Sequence, residues 1–443
     1  MPTRLTPEHH RWRIRIFATT WLAYVAFYFC RKPFSVAKSP MQDEAGWSTA
    51  DLGNLYATYL VAYALGQFLA AQTGTRLGPR RNVLLGMILS IVVTLAMGIT
   101  LSLPVLFALM AVNGLAQATG WSGTVGTMAS WFQKHERGRV MGAWSTNFTV
   151  GSIASGFAMA WVLSFRGPPL VDLAGLGFTL QEPAPWRWCF YLGAFVLFVV
   201  ALQFYFFQRD RPEDVGLAPV DDPEAPPGAR SADPPPGDGP GRLSRDAWTN
   251  LLLVGGFYFF SKIVRYAVWS WSAYFLNRNY GMSAGEAAGY SIVFDLCGIP
   301  GVYVTGYLSD RFFGARRAGV SLAMLLGMTV ATGLLMAFGD SGVEVFVVLL
   351  GLVGFTLYGP DALLTGAGSI DIGGRRAAVY ATALISGVGS LGPVVQELVI
   401  AQLYDAKSGD LGPIFGLLFA SAALATAFCA ALVWRNRRGG RGI

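Results

Sequence analysis

Long apolar runs alternate with short polar breaks along the whole chain. Twelve runs of roughly 20 residues or longer stand out, near residues 13–38, 52–73, 82–102, 104–132, 138–164, 187–208, 247–276, 286–308, 317–338, 342–366, 376–403 and 411–434. An α-helix of about 20 residues crosses the hydrocarbon core of a bilayer and satisfies its own backbone hydrogen bonds there. The pattern predicts an all-α polytopic membrane protein of twelve transmembrane helices. Residues 209–246 break the rhythm: they are rich in Pro, Gly and Asp and almost free of aromatics. Such a stretch forms no core and is expected to be an extended or disordered cytoplasmic linker. It separates an N-terminal six-helix half, 1–208, from a C-terminal half, 247–443, that ends in a short basic tail.

Composition narrows the class. Charged residues make up 13% and hydrophobic residues 53%, whereas a soluble protein carries about 25% charged residues. The net charge of +7 is spread over short loops, so the basic residues speak for a lipid bilayer and not for nucleic acid. Lys and Arg gather in alternate loops, which predicts both termini in the cytoplasm and a cell inner membrane. The basic N-terminus runs directly into a long helix with no small-residue cleavage site, so no signal peptide is expected. Cys30, Cys189, Cys297 and Cys429 fall in separate predicted helices, which argues against a disulfide framework or a metal site. His9, His10 and His135 all lie outside the predicted spans, excluding an intramembrane histidine relay. No nucleotide-binding loop or enzymatic constellation is present, no cofactor is implied, and a monomer is expected.

Charges inside the apolar runs are the candidate chemistry. The first run carries Arg31 and Lys32 well past its apolar start. A charge at the bilayer centre costs about 2.5–3.5 kcal/mol on insertion scales. Tyr24 and Tyr28 precede Arg31 by seven and three residues, which places all three on one helical face. Lys32 points about 100° away. Snorkelling of Arg31 to the interface is the alternative. The seventh run answers with Tyr258, Lys262 and Arg265; Lys262 and Arg265 share a face. Two intramembrane arginines at equivalent depths call for an anionic ligand, since the guanidinium fork matches phosphate or carboxylate. Without an anion such charges repel and are desolvated, which favours exchange of one anion for another. Acids inside the spans are few: Asp295, Asp361 and Glu397. Asp295 is expected to pair with Lys32 or Arg265, either alternately or as a static ion pair. Asp361 follows Gly-Pro and is expected near a helix kink. Glu397 either faces substrate hydroxyls or balances charge.

The halves echo each other. Gly74-Thr75-Arg76-Leu77-Gly78-Pro79-Arg80-Arg81 is matched by Ser309-Asp310-Arg311-Phe312-Phe313-Gly314-Ala315-Arg316-Arg317, and Val150-Gly151-Ser152 by Val388-Gly389-Ser390. Arg31 and Arg265 are offset by almost the same interval. This parallel repeat of six helices resembles the plan of the major facilitator transporters. Asp310 and Arg311 would then serve a gating contact, weaker in the first copy, where Thr75 stands in place of the acid.

Individual motifs resemble the organophosphate:phosphate antiporter family: Tyr24-x3-Tyr28-x2-Arg31-Lys32-x-Phe34-Ser35, Gly120-Trp121, Arg137-Gly138 through Trp144, Arg265-Tyr266 and Gly298-Ile299-Pro300-Gly301. The likeness covers essentially the whole chain except the linker. Asn113-Gly114-Leu115 and Tyr358-Gly359-Pro360-Asp361-Ala362-Leu363 look closer to vertebrate-type sugar-phosphate exchangers than to bacterial uptake systems. The resemblance implies that Arg31 and Arg265 hold a phosphoryl group while Tyr24, Tyr28, Trp121, Trp144, Tyr266 and Tyr358 line the cavity; packing or an interface belt is the alternative for each aromatic. The chain departs from the bacterial pattern at Gln67, where relatives carry lysine, at Phe148 beside Asn147, where they carry histidine, and at Lys262, where they carry tyrosine. Lys262 is expected to supply the positive charge that Gln67 withdraws. The resemblance implies exchange of an organophosphate for inorganic phosphate. Transport of another organic anion, with or without protons, and ligand sensing without flux are the rival expectations.

Overall fold

The computed structural model describes residues 5–133, 140–141, 143–164, 184–220, 245–312, 317–364, 368–406 and 409–438. The side chains of 71, 75, 129, 245–247, 309–312, 317, 368–384 and 406 are not among those described. All described secondary structure is helical. Contacts divide the chain into two units, residues 1–45 with 58–233, and residues 46–57 with 234–443.

The first unit holds α1 (Pro7–Phe29), α2 (Lys32–Ala45), most of α3 (Thr49–Leu77), α4 (Pro79–Ile99), α5 (Leu103–Trp131), α6 (Thr146–Ser164) and α7 (Pro185–Phe207). The α1 and α2 helices are one membrane segment broken at Cys30–Arg31. Pro33 lacks the N–H that would bond the Phe29 carbonyl, and it disfavours the helical conformation at the residue before it. The Cys30 and Arg31 amides turn back instead to the carbonyls of Phe27 (3.2 Å) and Tyr28 (3.1 Å). Gly193 of α7 packs directly on the Phe29 carbonyl, where any Cβ would collide. The apolar core beneath the break is Ala23, Ala26, Phe27 and Cys30 against Val83 and Met87 of α4 and Leu197 of α7.

Sequence composition predicted an extended or disordered stretch from residue 209, yet residues 209–220 are folded. A 3-10 turn covers Pro212–Val215, and Val215 and Leu217 pack on Ile16, Met128, Trp131 and Trp144. The Trp131 indole donates to the Arg209 carbonyl (3.0 Å), and a ring nitrogen of His9 lies 3.1 Å from the Ala218 carbonyl. Asp210 accepts from the Arg80 amide (2.8 Å) at the start of α4, whose own N-cap residue is Gly78 with no side chain to offer. Residues 221–244 lie outside the described residues.

At the other end of this unit, Glu44 ties α2 to α7. Its carboxylate accepts from Trp186 Nε1 (2.7 Å) and Arg187 Nη2 (2.5 Å), and Arg187 also donates to the Gly98 carbonyl (3.0 Å) that ends α4. Burial pushes the Glu44 carboxyl up, but the Trp186 and Arg187 hydrogen bonds and the guanidinium charge outweigh it and hold the group below its ordinary 4.5.

The second unit holds α8 (Arg245–Arg278), α9 (Ala284–Ser291), α10 (Val293–Phe312), α11 (Arg317–Phe338), α12 (Val343–Ala362), α13 (Gly368–Ala406) and α14 (Gly412–Arg437). The α9 and α10 helices again form one broken segment, so the described helices make twelve membrane segments. Eight of the described helical stretches are apolar enough to cross a membrane on length and hydropathy alone; α1/α2, α3, α6 and α13 fall short of that measure. The closest packing joins α10 to α12. Gly301 and Gly354 each sit against a carbonyl of the partner helix, those of Phe355 and Phe294, and small residues at such a seam let backbones approach. Residues 46–57, the start of α3, are described with this unit: Ala50 N donates to Asp405 (2.9 Å), and Tyr56 stacks on Trp269 at 6.4 Å.

Candidate anion-binding site

In the first unit the break in the first segment exposes Arg31 to a polar network built by three other helices. Arg31 Nε donates to Gln117 Oε1 (3.0 Å), which also accepts from the Tyr59 hydroxyl (3.0 Å). The two acceptor contacts fix the Gln117 amide, whose Nε2 faces Ser90 Oγ and Asn113 Oδ1, both at 3.4 Å. Ser90 donates to Asn113 Oδ1 (2.7 Å), and Asn113 Nδ2 donates to the Cys30 carbonyl (3.3 Å). One cluster therefore holds both residues of the break, the carbonyl of one and the guanidinium of the other. Tyr28 and Tyr63 present their rings to the Arg31 guanidinium at 4.8 and 5.1 Å, a favourable cation–π geometry. Among the described residues Arg31 forms no ion pair, and its Nη2 is buried without a hydrogen-bond partner. A cation that keeps a buried donor unsatisfied is costly unless something anionic arrives.

Beside Arg31 stands an aromatic cluster. Tyr24 lies edge-on to Trp121 (5.2 Å) and Tyr28 (6.0 Å), and Trp144 packs on both Tyr24 and Trp121. Trp121 is 39% exposed, whereas Trp144 is fully buried and donates to Thr20 Oγ1 (3.0 Å). Trp144 thus supports the cluster from behind. Asn147 is fully buried, and neither end of its amide has a hydrogen-bond partner among the described residues. Gln67 is exposed, one turn beyond Tyr63 on α3.

The second unit places its cations differently. Arg265 donates to Asp361 in an ion pair, and its guanidinium lies 4.7 Å over the Tyr358 ring. The Tyr358 hydroxyl donates to Asp295 Oδ1. Sequence reasoning expected Asp295 to take Lys32 or Arg265; the contacts seen are Arg265 on Asp361 and Tyr358 on Asp295. The Tyr358 contact is made at the α10–α12 seam. Gly298 lacks the Cβ that would stand 2.6 Å from the Tyr358 ring, so the ring passes close to α10 and its hydroxyl reaches Asp295, one turn earlier. Lys262 Nζ lies 4.5 Å from the Tyr258 ring, and Tyr266 packs against Trp269 (6.4 Å). Asp361 falls in the last turn of α12, next to Pro360. Lys32 and Glu397 are fully buried. The side chains of Asp310, Arg311 and Thr75, and residues Arg137 and Gly138, lie outside the described residues.

Sequence reasoning missed Gln117, Ser90, Tyr59 and Tyr63, and took Asn113 only as part of a motif. Asn113 and Gln117 are spaced four apart in an apolar run, a polar stripe that signals a buried partner. Lys38, fully buried in α2, was missed as well.

Twelve helical membrane segments that carry half-buried cations have the build of a membrane transporter. Residues 20–396 match the Major Facilitator Superfamily, and the chain belongs to that superfamily. It is 26% identical to the glycerol-3-phosphate transporter of Bacillus subtilis, with 98% of this chain and 95% of that protein covered. It is also 26% identical to the glucose-6-phosphate exchanger SLC37A2 of Bos taurus, over 96% and 94%. Its fold is shared with a bacterial homolog of the human lysosomal transporter Spinster in an inward-facing, unoccupied conformation (TM-score 0.70, 19% identity, 95% of each chain). The D-xylose-proton symporter shares it too (TM-score 0.71, 12% identity, 94% of this chain and 97% of that one).

Proposed function

We propose that the protein exchanges an organophosphate, of the sugar-phosphate or glycerol-phosphate type, for inorganic phosphate by alternating access. The observation that carries this is Arg31: a half-buried guanidinium held by the neutral Gln117, with its buried Nη2 unsatisfied among the described residues. A phosphoryl group supplies the charge and the acceptor oxygens that this nitrogen lacks. The names of the relatives, which include a glycerol-3-phosphate transporter and a glucose-6-phosphate exchanger, support the same substrate class. Arg31 and Arg265 are the two cations that engage the phosphoryl group, and Lys262 adds a third positive charge. Tyr24, Tyr28 and Trp121 bear on the organic part from the first unit, Tyr266 and Tyr358 from the second, and Asn147 offers one donor and one acceptor to hydroxyls. We place the protein as a monomer in the bacterial inner membrane, with both termini cytoplasmic.

The test uses purified protein in liposomes loaded with unlabelled phosphate. Uptake of labelled phosphate is competed with sugar phosphates, glycerol phosphate and phosphoglycerates. The proposal expects uptake that requires internal phosphate and is lost in Arg31→Ala. Uptake of carboxylates but not phosphate, or saturable binding without flux, would overturn it. Lys262→Ala is expected to weaken phosphate binding; unchanged affinity there, with loss in Arg265→Ala, removes Lys262 from the site.

A further inference from the structure

One face of α7 is apolar and exposed. Phe195, Phe198, Leu202 and Phe206 all lie on it, within about 80° of one another around the helix. They form a ridge about 16 Å long. One leaflet of acyl chains, half of a hydrocarbon core of about 30 Å, has the same thickness. In a membrane-spanning chain such a ridge is covered by lipid tails.

The ridge ends between basic groups. Tyr205 and Phe207 stand about 100° to either side of Phe206. On one side, Arg80 of α4 lies 5.4 Å from the Tyr205 ring and donates to the Tyr205 carbonyl (2.5 Å). On the other, Arg15 of α1 faces two rings, Trp12 at 4.6 Å and Phe207 at 5.3 Å. Arg209 lies 6.0 Å from the same Trp12 ring and donates to the Phe206 and Gln208 carbonyls that end α7 (3.1 and 2.7 Å). Among the described residues none of these three arginines pairs with a carboxylate. The acids of the adjoining turn are engaged by amides: Asp210 accepts from Arg80 N and Gln208 Nε2, and Asp214 from the amides of Asp210 and Arg211. Snorkelling brings single arginines to an interface. Here three gather on one aromatic shelf, where the rings orient the guanidiniums and no acid answers them. The shelf complements an anion, and the ridge below it complements an acyl chain.

We propose that this end of α7 binds an anionic phospholipid, with a tail along the ridge and the headgroup phosphate held by Arg15 and Arg209 on one side of Phe206 and by Arg80 on the other. The topology proposed above puts the shelf in the cytoplasmic leaflet, whose surface is negative. The site is distinct from the one at Arg31: Arg15 lies in the first half of α1, and Arg31 beyond its end. Because Arg209 opens the folded turn that follows α7, the lipid also ties that turn to the bilayer.

The experiment follows the melting temperature of the purified full-length protein in uncharged detergent, titrated with phosphatidylglycerol or with phosphatidylcholine of the same chains. A ligand of the folded state raises this temperature. The wild type is expected to respond to phosphatidylglycerol at lower concentration. Arg15→Gln and Arg209→Gln are each expected to weaken that response about fivefold, the worth of one basic side chain at an anionic surface. Arg437→Gln, in the last turn of α14, is expected to leave it unchanged. Equal responses to the two lipids, an undiminished response in the Arg15→Gln/Arg209→Gln protein, or an equal loss in Arg437→Gln overturns the proposal. So does loss of the response in Arg31→Ala alone, which would place the headgroup in the substrate site, or its reproduction by inorganic phosphate at the same concentrations, which would make the ligand a free anion. If the double variant does not fold, native mass spectrometry of the wild type taken from an equal mixture of the two lipids decides: preferential retention of phosphatidylglycerol supports the site, and equal retention overturns it.

Discussion

Gln117→Glu asks whether Arg31 is an anion receptor or a structural cation. The substitution is nearly isosteric and keeps an acceptor 3.0 Å from Arg31 Nε and from the Tyr59 hydroxyl. It replaces a neutral amide with a carboxylate, giving Arg31 an internal ion pair. An anion on the far edge of the guanidinium would sit about 7 Å from the new charge, where two unit charges repel by about 2 kcal/mol at an effective dielectric constant near 20. For a dianion this doubles to about 4–5 kcal/mol. Allowing for screening by the guanidinium between them, phosphate affinity should fall at least about a hundredfold, since about 1.4 kcal/mol is a factor of ten. The new ion pair gives Arg31 a charged partner at Nε while the Nε2 contacts to Ser90 and Asn113 are lost, so thermal stability should change little. The assay is phosphate affinity by equilibrium binding, paired with the melting temperature of the unliganded protein. Loss of affinity with retained stability is the expected result. Wild-type affinity in a folded Gln117→Glu protein would refute the assignment of Arg31 as receptor.

Three further expectations concern the frame. Gly301→Ala puts a methyl group against the Phe355 carbonyl and should cost about 1–3 kcal/mol, read as a lower melting temperature in detergent; an unchanged value would mean the α10–α12 seam is loose. Asp210→Ala removes the acceptor for the Arg80 amide and should cost about 1 kcal/mol, with faster protease cleavage near residue 210. Glu44→Gln tests a sign: because Glu44 is held below 4.5 in the folded protein, its ionised form adds stability above that value. The gap in melting temperature between wild type and variant should therefore be present near neutral pH and close as pH falls below 4.5 through the depressed value. A gap that persists at the acid end would contradict it.

The membrane segments were legible because apolar runs of bilayer length have few other uses. Arg31, Tyr28 and Arg265 were legible because a charge in such a run is expensive enough to need a reason. The break at Cys30–Arg31 had its signal in Pro33 but was read as part of one helix, since a proline need not break a membrane helix. The Gln117 network was hidden for a different reason: Asn113 and Gln117 declare a polar face, but only packing decides that Ser90 and the Cys30 carbonyl lie opposite. Asp361 was visible as an intramembrane acid beside Pro360, while the contact of Tyr358 with Asp295 depended on how closely Gly298 lets Tyr358 approach α10. Residues 209–220 were misjudged because a Pro- and Asp-rich composition concealed Val215 and Leu217, which have an apolar surface to cover.

The most direct test of the central claim is exchange of labelled phosphate in proteoliposomes, comparing wild type with Arg31→Lys and Arg31→Ala. Lysine keeps the charge but loses the planar fork and the Nε contact to Gln117. Uptake that depends on internal phosphate in the wild type, is strongly reduced in Arg31→Lys and is absent in Arg31→Ala is the predicted result. Equal uptake by all three proteins would contradict the account.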